Sequence, residues 1–160
     1  MSLPLHLLSY TYAAGSVFHN SYVTAPLSIK VLPRRQFGEL QATLLPLQAA
    51  VETISPAIIA ITAPYVLSTA GIALLLSSSA CGLANWALIG PKCAEIKQKR
   101  WMVIDSAYNG DEAKAKESGD LKQIDAKFGK WHGASMVVNL GSVIGLVGYA
   151  FVLARKLKPL

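Results

Sequence analysis

Glu52 carries the most unusual side chain in this sequence, because it is the only charged residue between Leu44 and Ile89. An acidic side chain near the middle of a membrane costs about 2.5 to 3.5 kcal/mol even on lenient insertion scales. Such a group needs a partner, a water-filled cavity or a bound proton. The sequence therefore predicts either chemistry or a buried contact at Glu52.

Four uncharged polar residues occur in apolar segments at depths that could bring them near Glu52, namely His19, Asn20, Asn85 and Asn139. One interpretation is a polar cavity that binds a small polar ligand or relays a proton through Glu52 and His19. The other is hydrogen bonding between helices, worth about 0.6 kcal/mol for each bond on average. The sequence leaves both interpretations open for Glu52.

Other patterns that carry chemistry do not occur in the sequence. His6, His19 and His132 fall at different depths, and neither Cys81 nor Cys93 pairs with them at a metal-ligand spacing. There is also no glycine-rich phosphate loop, nucleophile elbow or usable pair of carboxylates. We therefore expect a non-enzymatic protein with no catalytic residue, metal or cofactor.

The composition is that of a membrane protein, with 52% hydrophobic and 15% charged residues, whereas an average soluble domain has about 25% charged residues. A hydrocarbon core about 30 Å thick needs roughly 20 apolar residues per helix. Four segments meet this need, at about residues 5–29, 45–63, 67–89 and 133–153. We predict a single membrane domain over residues 1–160, folded as an all-α, up-down bundle of four helices.

The positive charges predict the orientation of these spans. Of the 15 Lys and Arg residues, three follow the first span, nine lie in the third connection at about 92–131, and the last three are Arg155, Lys156 and Lys158. The positive-inside rule makes the first and third connections cytoplasmic and both termini luminal or extracellular. We expect the endomembrane system or plasma membrane, with the mitochondrial outer membrane as the alternative. No basic face with interleaved aromatic residues indicates nucleic-acid binding, despite the formal charge of +6.

The first and third connections carry apolar stripes that predict short interfacial helices. One stretch is 33–44, where Phe37, Leu40 and Leu44 share a face, and the other is 119–131, where Leu121, Ile124 and Phe128 do so. The pairs Asn109-Gly110 and Ser118-Gly119 predict helix breaks within the third connection.

Small and polar residues recur in steps of three and four in every span, which predicts the faces where the helices meet. The four predicted seams are Ser9, Tyr12, Ser16, His19 and Val23; Gln48, Glu52, Ser55, Ile59 and Thr62; Gly71, Leu75, Ser78, Gly82 and Asn85; and Ser135, Asn139, Ser142, Leu146 and Tyr149. Beside the last seam, Gly141 and Gly145 form a Gly-xxx-Gly pair. We expect this pair to pack within the bundle, with a homodimer face as the alternative.

Three blocks of sequence resemble a known family. The first is the run from Leu32 to Gln41, which contains Leu32-Pro33-Arg34-Arg35, Phe37 and Gly38 and follows Phe18-His19. The second contains Asn85, Gly90-Pro91 and Lys99-Arg100, and the third contains Phe128, His132-Gly133, Ser135 and Asn139-Leu140. In this order, and over nearly the whole chain, they resemble the transmembrane protein 205-like family.

The resemblance implies a four-span integral membrane protein with the same long third connection, and it implies little about activity. Leu47-Gln48 stand where the family pattern has an aromatic pair, and Glu52 stands where an uncharged residue is usual. We expect an accessory or interaction component of a membrane, in contact with lipid and with other membrane proteins or further copies of itself. The alternative is a small transporter or channel-like protein that uses the polar residues around Glu52 and His19.

Overall fold

The computed structural model describes residues 2–157, and nearly all of them are helical, with no strand in that range. The all-α class is therefore confirmed. Met1 and residues 158–160 lie outside the described part of the chain, so Lys158 in the predicted charge pattern is not placed.

The helices follow one another with short connections. α1 (Leu3–His19) continues through a π-helical segment (Asn20–Thr24) into α2 (Ala25–Val31), and α3 is Arg34–Thr62. α4 (Thr69–Ala84) continues through a second π-helical segment (Asn85–Ile89) into α5 (Gly90–Tyr108), followed by α6 (Glu112–Glu117) and α7 (Lys122–Lys156). α4 packs between α3 and α7, while α1 packs on α3 and more sparsely on α7.

Three helices are long and apolar enough to cross a membrane: Arg34–Thr62, Thr69–Tyr108 and Lys122–Lys156. They contain the second, third and fourth predicted spans. The first predicted span is helical as well but is not among the three. Its serine, threonine, tyrosine, histidine and asparagine residues lower its mean hydropathy. Crossing by the first span therefore stays a prediction.

Each π-helical segment ends two residues before a proline. Pro26 and Pro91 are each the second residue of the α-helix that follows such a segment. Proline has no backbone N–H, and its ring collides with the carbonyl group of residue i−4 in a regular helix. The wider π turn accommodates this local disruption of the hydrogen-bond ladder. The helix that begins at Thr69 therefore passes Gly90-Pro91 and ends only at Tyr108, well beyond the predicted end of the span at Ile89.

The two predicted interfacial helices are not separate elements. Residues 34–44 form the first turns of α3, and residues 122–131 form the first turns of α7, with no break before the apolar part of either helix. In both helices the first turns have one apolar face and the later turns are mainly apolar. This difference reflects a change in what surrounds the helix, and the backbone stays helical throughout. The two predicted breaks in the third connection are confirmed, because Asn109, Gly110 and Gly119 all have positive φ angles.

Three of the four predicted seams are buried. The seam of α3 buries Glu52, Ser55, Ile59 and Thr62, the seam of α4 and its π segment buries all five predicted residues, and the seam of α7 buries Ser142, Leu146 and Tyr149.

The predicted seam of the first helix is wrong. α1 instead buries His6, Ala13 and Val17, while Tyr12 is 65% exposed. The hydroxyl groups of Ser9 and Ser16 donate to the carbonyl groups of Leu5 and Tyr12 in the same helix, so neither serine needs a neighbouring helix as a partner.

Glycines allow close contact between the backbones of neighbouring helices. A Cβ atom on Gly145 would lie 2.7 Å from the carbonyl oxygen of Leu74, and one on Gly141 would lie 2.9 Å from Sγ of Cys81. On the other side of α4, a Cβ atom on Gly82 would lie 2.7 Å from the carbonyl carbon of Glu52. The Gly-xxx-Gly pair of α7 therefore faces α4 of the same chain, which supports packing within the bundle.

We predict that Gly145→Ala lowers the stability of the protein by about 1–3 kcal/mol, because the added methyl group has no room against α4. Gly133→Ala is the matched control in the same helix, since a Cβ atom there meets no other atom within 4 Å. The control should be neutral or stabilise the helix by up to about 1 kcal/mol. Thermal unfolding in detergent micelles measures both effects, and equal behaviour of the two variants would contradict the α4–α7 contact.

Candidate functional site

Glu52 belongs to a polar cluster whose centre is Gln48, one helical turn earlier on α3. The amide nitrogen of Gln48 lies 2.7 Å from Oε1 of Glu52, 3.0 Å from Oγ of Ser21 and 3.1 Å from Oδ1 of Asn139. Asn20 donates from Nδ2 to the side-chain oxygen Oε1 of Gln48, and Asn139 donates to Ser21 over 3.1 Å. We call these five residues the Gln48 cluster. It joins the first π-helical segment, α3 and α7.

Glu52 is the most deeply buried member of this cluster, with 2% of its surface exposed. Its Oε1 atom accepts from Gln48, whereas its Oε2 atom has no hydrogen-bond partner among the described residues. The other four members are half-buried. The cluster therefore holds a carboxyl group that its own neighbours satisfy only in part.

The structure brings three of the five predicted site residues together, and they are Glu52, Asn20 and Asn139. His19 is exposed, and its Nδ1 atom lies 3.1 Å from Oγ1 of Thr24, so the predicted pairing of His19 with Glu52 is wrong. Asn85 lies outside the cluster, where it donates to the carbonyl oxygen of Ser135 over 3.2 Å. Sequence reasoning placed Gln48 on the seam but missed it as the centre. Its position four residues before Glu52 on one helix face was the available signal.

A second buried polar group, which the sequence did not predict as a site, lies at the other end of the bundle. His6 is fully buried, and its Nε2 atom lies 3.1 Å from the hydroxyl of Tyr149 and 3.3 Å from that of Tyr65. The two hydroxyls are 3.1 Å apart, and Nδ1 of His6 lies 3.3 Å from Oγ1 of Thr62. We call these four residues the His6 cluster. It ties together α1, α3, α7 and the turn at 63–68.

The hydrogen bonds of Thr62 assign the roles of the two imidazole nitrogens. The hydroxyl of Thr62 has one hydrogen, which it donates to the carbonyl group of Ile58 over 2.8 Å. Its oxygen must therefore accept from Nδ1 of His6, which leaves Nε2 of the neutral imidazole as the acceptor for a tyrosine hydroxyl. The two tyrosines can then form a short chain in which one donates to His6 and the other donates to the first.

Apolar side chains separate the two clusters along the bundle. Ala13, Val17, Ile59 and Leu146 belong to one buried core, and Ile59 lies between Glu52 and Thr62 on the same face of α3. The Gln48 and His6 clusters are therefore two distinct sites.

Charged residues form a third assembly where α3 begins, and we call it the charged cap. Arg100 is 5% exposed and bonds to Glu112 at 2.8 Å and to Asp125 at 2.7 Å. Arg35 forms two bonds with Asp105 at 2.9 and 3.0 Å, and Arg34 approaches Glu112 at 3.4 Å. These contacts fasten the start of α3 to α5 and α6, and α5 to the start of α7.

Trp101 completes the charged cap, because the guanidinium groups of Arg35 and Arg100 each lie 5.2 Å from its ring centre. Burial alone would lower the pKa of Arg100, but its bonds to Glu112 and Asp125 raise it above its usual value. Burial opposes ionisation of Glu112 as well, yet Arg100 and Lys116 hold the pKa of that carboxyl below its usual range. Both effects keep the ion pair between Arg100 and Glu112 charged at neutral pH.

The residues of the first sequence block therefore lie at a structural junction. Leu32 and Pro33 link α2 to α3, and Arg34 and Arg35 bind the charged cap. The carbonyl group of Gly38 accepts from Nζ of Lys97 over 2.6 Å. Phe37 is half-buried, and Gln41 is buried with no hydrogen-bond partner for its Nε2 atom within residues 2–157. Gly90 and Pro91 follow the second π segment. His132 stacks on Phe128, and a Cβ atom on Gly133 would meet open space.

These features are typical of an integral membrane protein, since apolar helices of spanning length enclose polar residues. A family model described as a domain of unknown function (DUF4149) matches residues 8–101, which is more than half of the chain. The chain belongs to this family. No curated protein and no solved structure matches the chain. The matched region includes Gln48, Glu52 and Arg100, and it ends before α6 and α7.

We predict that Tyr149→Phe weakens the bundle by about 0.6–1.7 kcal/mol, because the variant loses the hydroxyl that lies between His6 and Tyr65. Tyr12→Phe is the matched control, since Tyr12 is exposed on α1 and its loss of a hydroxyl should change the stability little. Thermal unfolding in detergent micelles separates the two. If both variants unfold at the wild-type temperature, the His6 cluster does not hold the helices together.

We also predict that Arg100→Gln loosens the connection between α5 and α7, because Glu112 and Asp125 lose their shared partner. Cleavage by proteinase K within residues 109–121 should become roughly tenfold faster. Lys99→Gln is the neighbouring control, since Lys99 is exposed and pairs only with Glu95 within α5. Equal cleavage of the two variants would contradict a stabilising role for Arg100.

Proposed function

We propose that the protein is a four-span integral membrane protein and a non-enzymatic accessory or interaction component of its membrane. The observation that carries this proposal is the distribution of side chains. Large apolar residues such as Leu8, Ile61, Val137 and Phe151 are exposed on the outside of the helices, while polar residues hydrogen-bond to one another inside. This arrangement suits a lipid surrounding. The resemblance to the transmembrane protein 205-like family belongs to the same proposal.

The charged cap supports the proposed orientation and role. It lies beside the first and third connections, which hold most of the Lys and Arg residues, whereas the turn at 63–68 at the other end of α3 has no charge. With the cap in the cytoplasm, both termini lie on the luminal or extracellular side. A rigid, ionised surface anchored to a lipid-facing bundle is suited to contact with other membrane proteins. The proposed location is the endomembrane system or plasma membrane, with the mitochondrial outer membrane as the alternative.

Labelling of single cysteines tests the four-span topology. In a background with Cys81 and Cys93 replaced by alanine, we expect Glu117→Cys to react with a membrane-impermeant maleimide from the cytosolic side. Ser2→Cys and Val66→Cys should react only from the opposite side. Residue 66 is 89% exposed, so protection there reports the membrane rather than burial within the protein. Labelling of positions 66 and 117 from the same side would refute the topology.

Purification in mild detergent tests the accessory role. We expect the chain to co-purify in a heteromeric assembly of constant stoichiometry, and we expect Arg100→Gln to release the partner more readily than Lys99→Gln. A chain that migrates alone at every detergent concentration at which it remains folded would contradict this role.

A second candidate function is a small transporter or channel-like protein that uses the polar residues around Glu52. The specific observation that favours it is the Oε2 atom of Glu52, which is buried without a hydrogen-bond partner among the described residues. His19 is not part of this candidate site, because it lies on the outside of the bundle.

A further inference from the structure

Three oxygen atoms from three helical elements converge on one point in the Gln48 cluster. They are Oε1 of Glu52, Oγ of Ser21 and Oδ1 of Asn139, and each lies within 3.1 Å of Nε2 of Gln48. A primary amide nitrogen carries two hydrogens, so it can bond to only two of the three oxygens at one time. Ser21 also accepts from Asn139, so the three oxygens form a cradle in which every hydrogen-bond donor is neutral.

The orientation of the Gln48 amide is fixed by a neighbour. Asn20 donates to the side-chain oxygen Oε1 of Gln48, which turns the side-chain nitrogen Nε2 towards the cradle. The amide brings no net positive charge to Glu52. None of the ion pairs among residues 2–157 includes Glu52 either. The charge of an ionised Glu52 thus has no counter-ion within the described part of the chain.

We propose that the Gln48 cluster binds a monovalent metal cation, Na⁺ or K⁺. To admit the cation, the side-chain amide of Gln48 loses its bond from Asn20 and moves out of the cradle, and the ion is held there by Glu52, Ser21 and Asn139. Carboxylate, carbonyl and hydroxyl oxygens are the ligands that hard cations prefer. One carboxylate neutralises one positive charge, whereas a divalent ion would leave an unbalanced charge among apolar helices. The second oxygen of Glu52 accepts no hydrogen bond of normal geometry from the described residues.

The inference deepens the second candidate function, because it names the ligand of the same cluster. It uses residues from the first π-helical segment, α3 and α7, so binding would pull these three elements together. Bound cation should therefore stabilise the folded protein, by an amount that grows with the logarithm of the cation concentration once this exceeds the Kd.

Thermal unfolding of the purified full-length chain in detergent micelles tests this inference. Tryptophan fluorescence is followed in NaCl, KCl or choline chloride at one pH and one ionic strength. We expect Na⁺ or K⁺ to raise the midpoint relative to choline, by on the order of 5 °C at a cation concentration well above the Kd. Glu52→Gln should abolish the increase. Glu39→Gln, at an exposed position of the same helix, should retain it in full.

A second variant provides a test that does not depend on whether Glu52→Gln folds. Asn139→Ala removes one neutral ligand and should raise the half-saturating cation concentration about tenfold, which corresponds to the loss of one good contact. Identical midpoints of the wild type in all three salts would overturn the inference, and so would an undiminished increase in Glu52→Gln. A midpoint that follows pH but not the cation would also overturn it and assign a bound proton to Glu52. Cysteine labelling tests the topology separately, so the four-span topology can be refuted without refuting the cation site, and the cation site can be refuted without refuting the topology.

Discussion

The packing of this protein depends on a constraint that soluble proteins do not face: an apolar helix in lipid gains nothing by hiding apolar surface against another helix. Its helices must instead be held by close backbone contact and by polar bonds between side chains. Both occur at one level of the bundle, where Gly82 of α4 lies directly against the backbone of Glu52. Ser79 also donates to the carbonyl group of Thr53 over 2.5 Å. The close fit on one side of α3 leaves the side chains of Gln48 and Glu52 to face α7 and the first π segment.

The polar contacts are graded along the bundle. The Gln48 cluster holds one carboxyl group, the His6 cluster holds only neutral donors and acceptors, and the charged cap holds full ion pairs. The full ion pairs lie at an end of the bundle and not among its apolar parts, which agrees with the cost of charge in apolar surroundings. The ionic network lies where α3, α5 and α7 extend beyond their apolar parts, so water can share the charge of its more exposed members. Its two arginines on Trp101 make that end of the molecule the most heavily cross-linked.

The sequence predicted the seams of α3, α4 and α7 because several of their polar residues bond across an interface, as Gln48 does to Asn139 and Asn85 does to Ser135. It failed for α1, because Ser9 and Ser16 bond to their own backbone. The helix lengths were predicted poorly for a related reason: an apolar pattern reports the surroundings of a helix, and hydrogen bonds decide where the helix ends. The partners of Glu52 were predictable only in part. Asn20 and Asn139 share its depth, but the choice of Ser21 over His19 depends on the backbone conformation between Asn20 and Thr24.

That backbone conformation has a consequence for how this chain can tolerate change. In a regular α-helix, two consecutive residues point about 100° apart, yet Asn20 and Ser21 both reach Gln48. The π turn, which contains one more residue than an α turn, makes this possible. The length of this segment is therefore as much a determinant of the cluster as its side chains are. Loss of Tyr22 or Val23 would leave all five polar residues of the cluster encoded in the gene and yet alter their positions relative to one another. Among variants of this chain, an insertion or deletion in that segment would be more disruptive than most substitutions, and an alignment that tolerates gaps there would conceal the change.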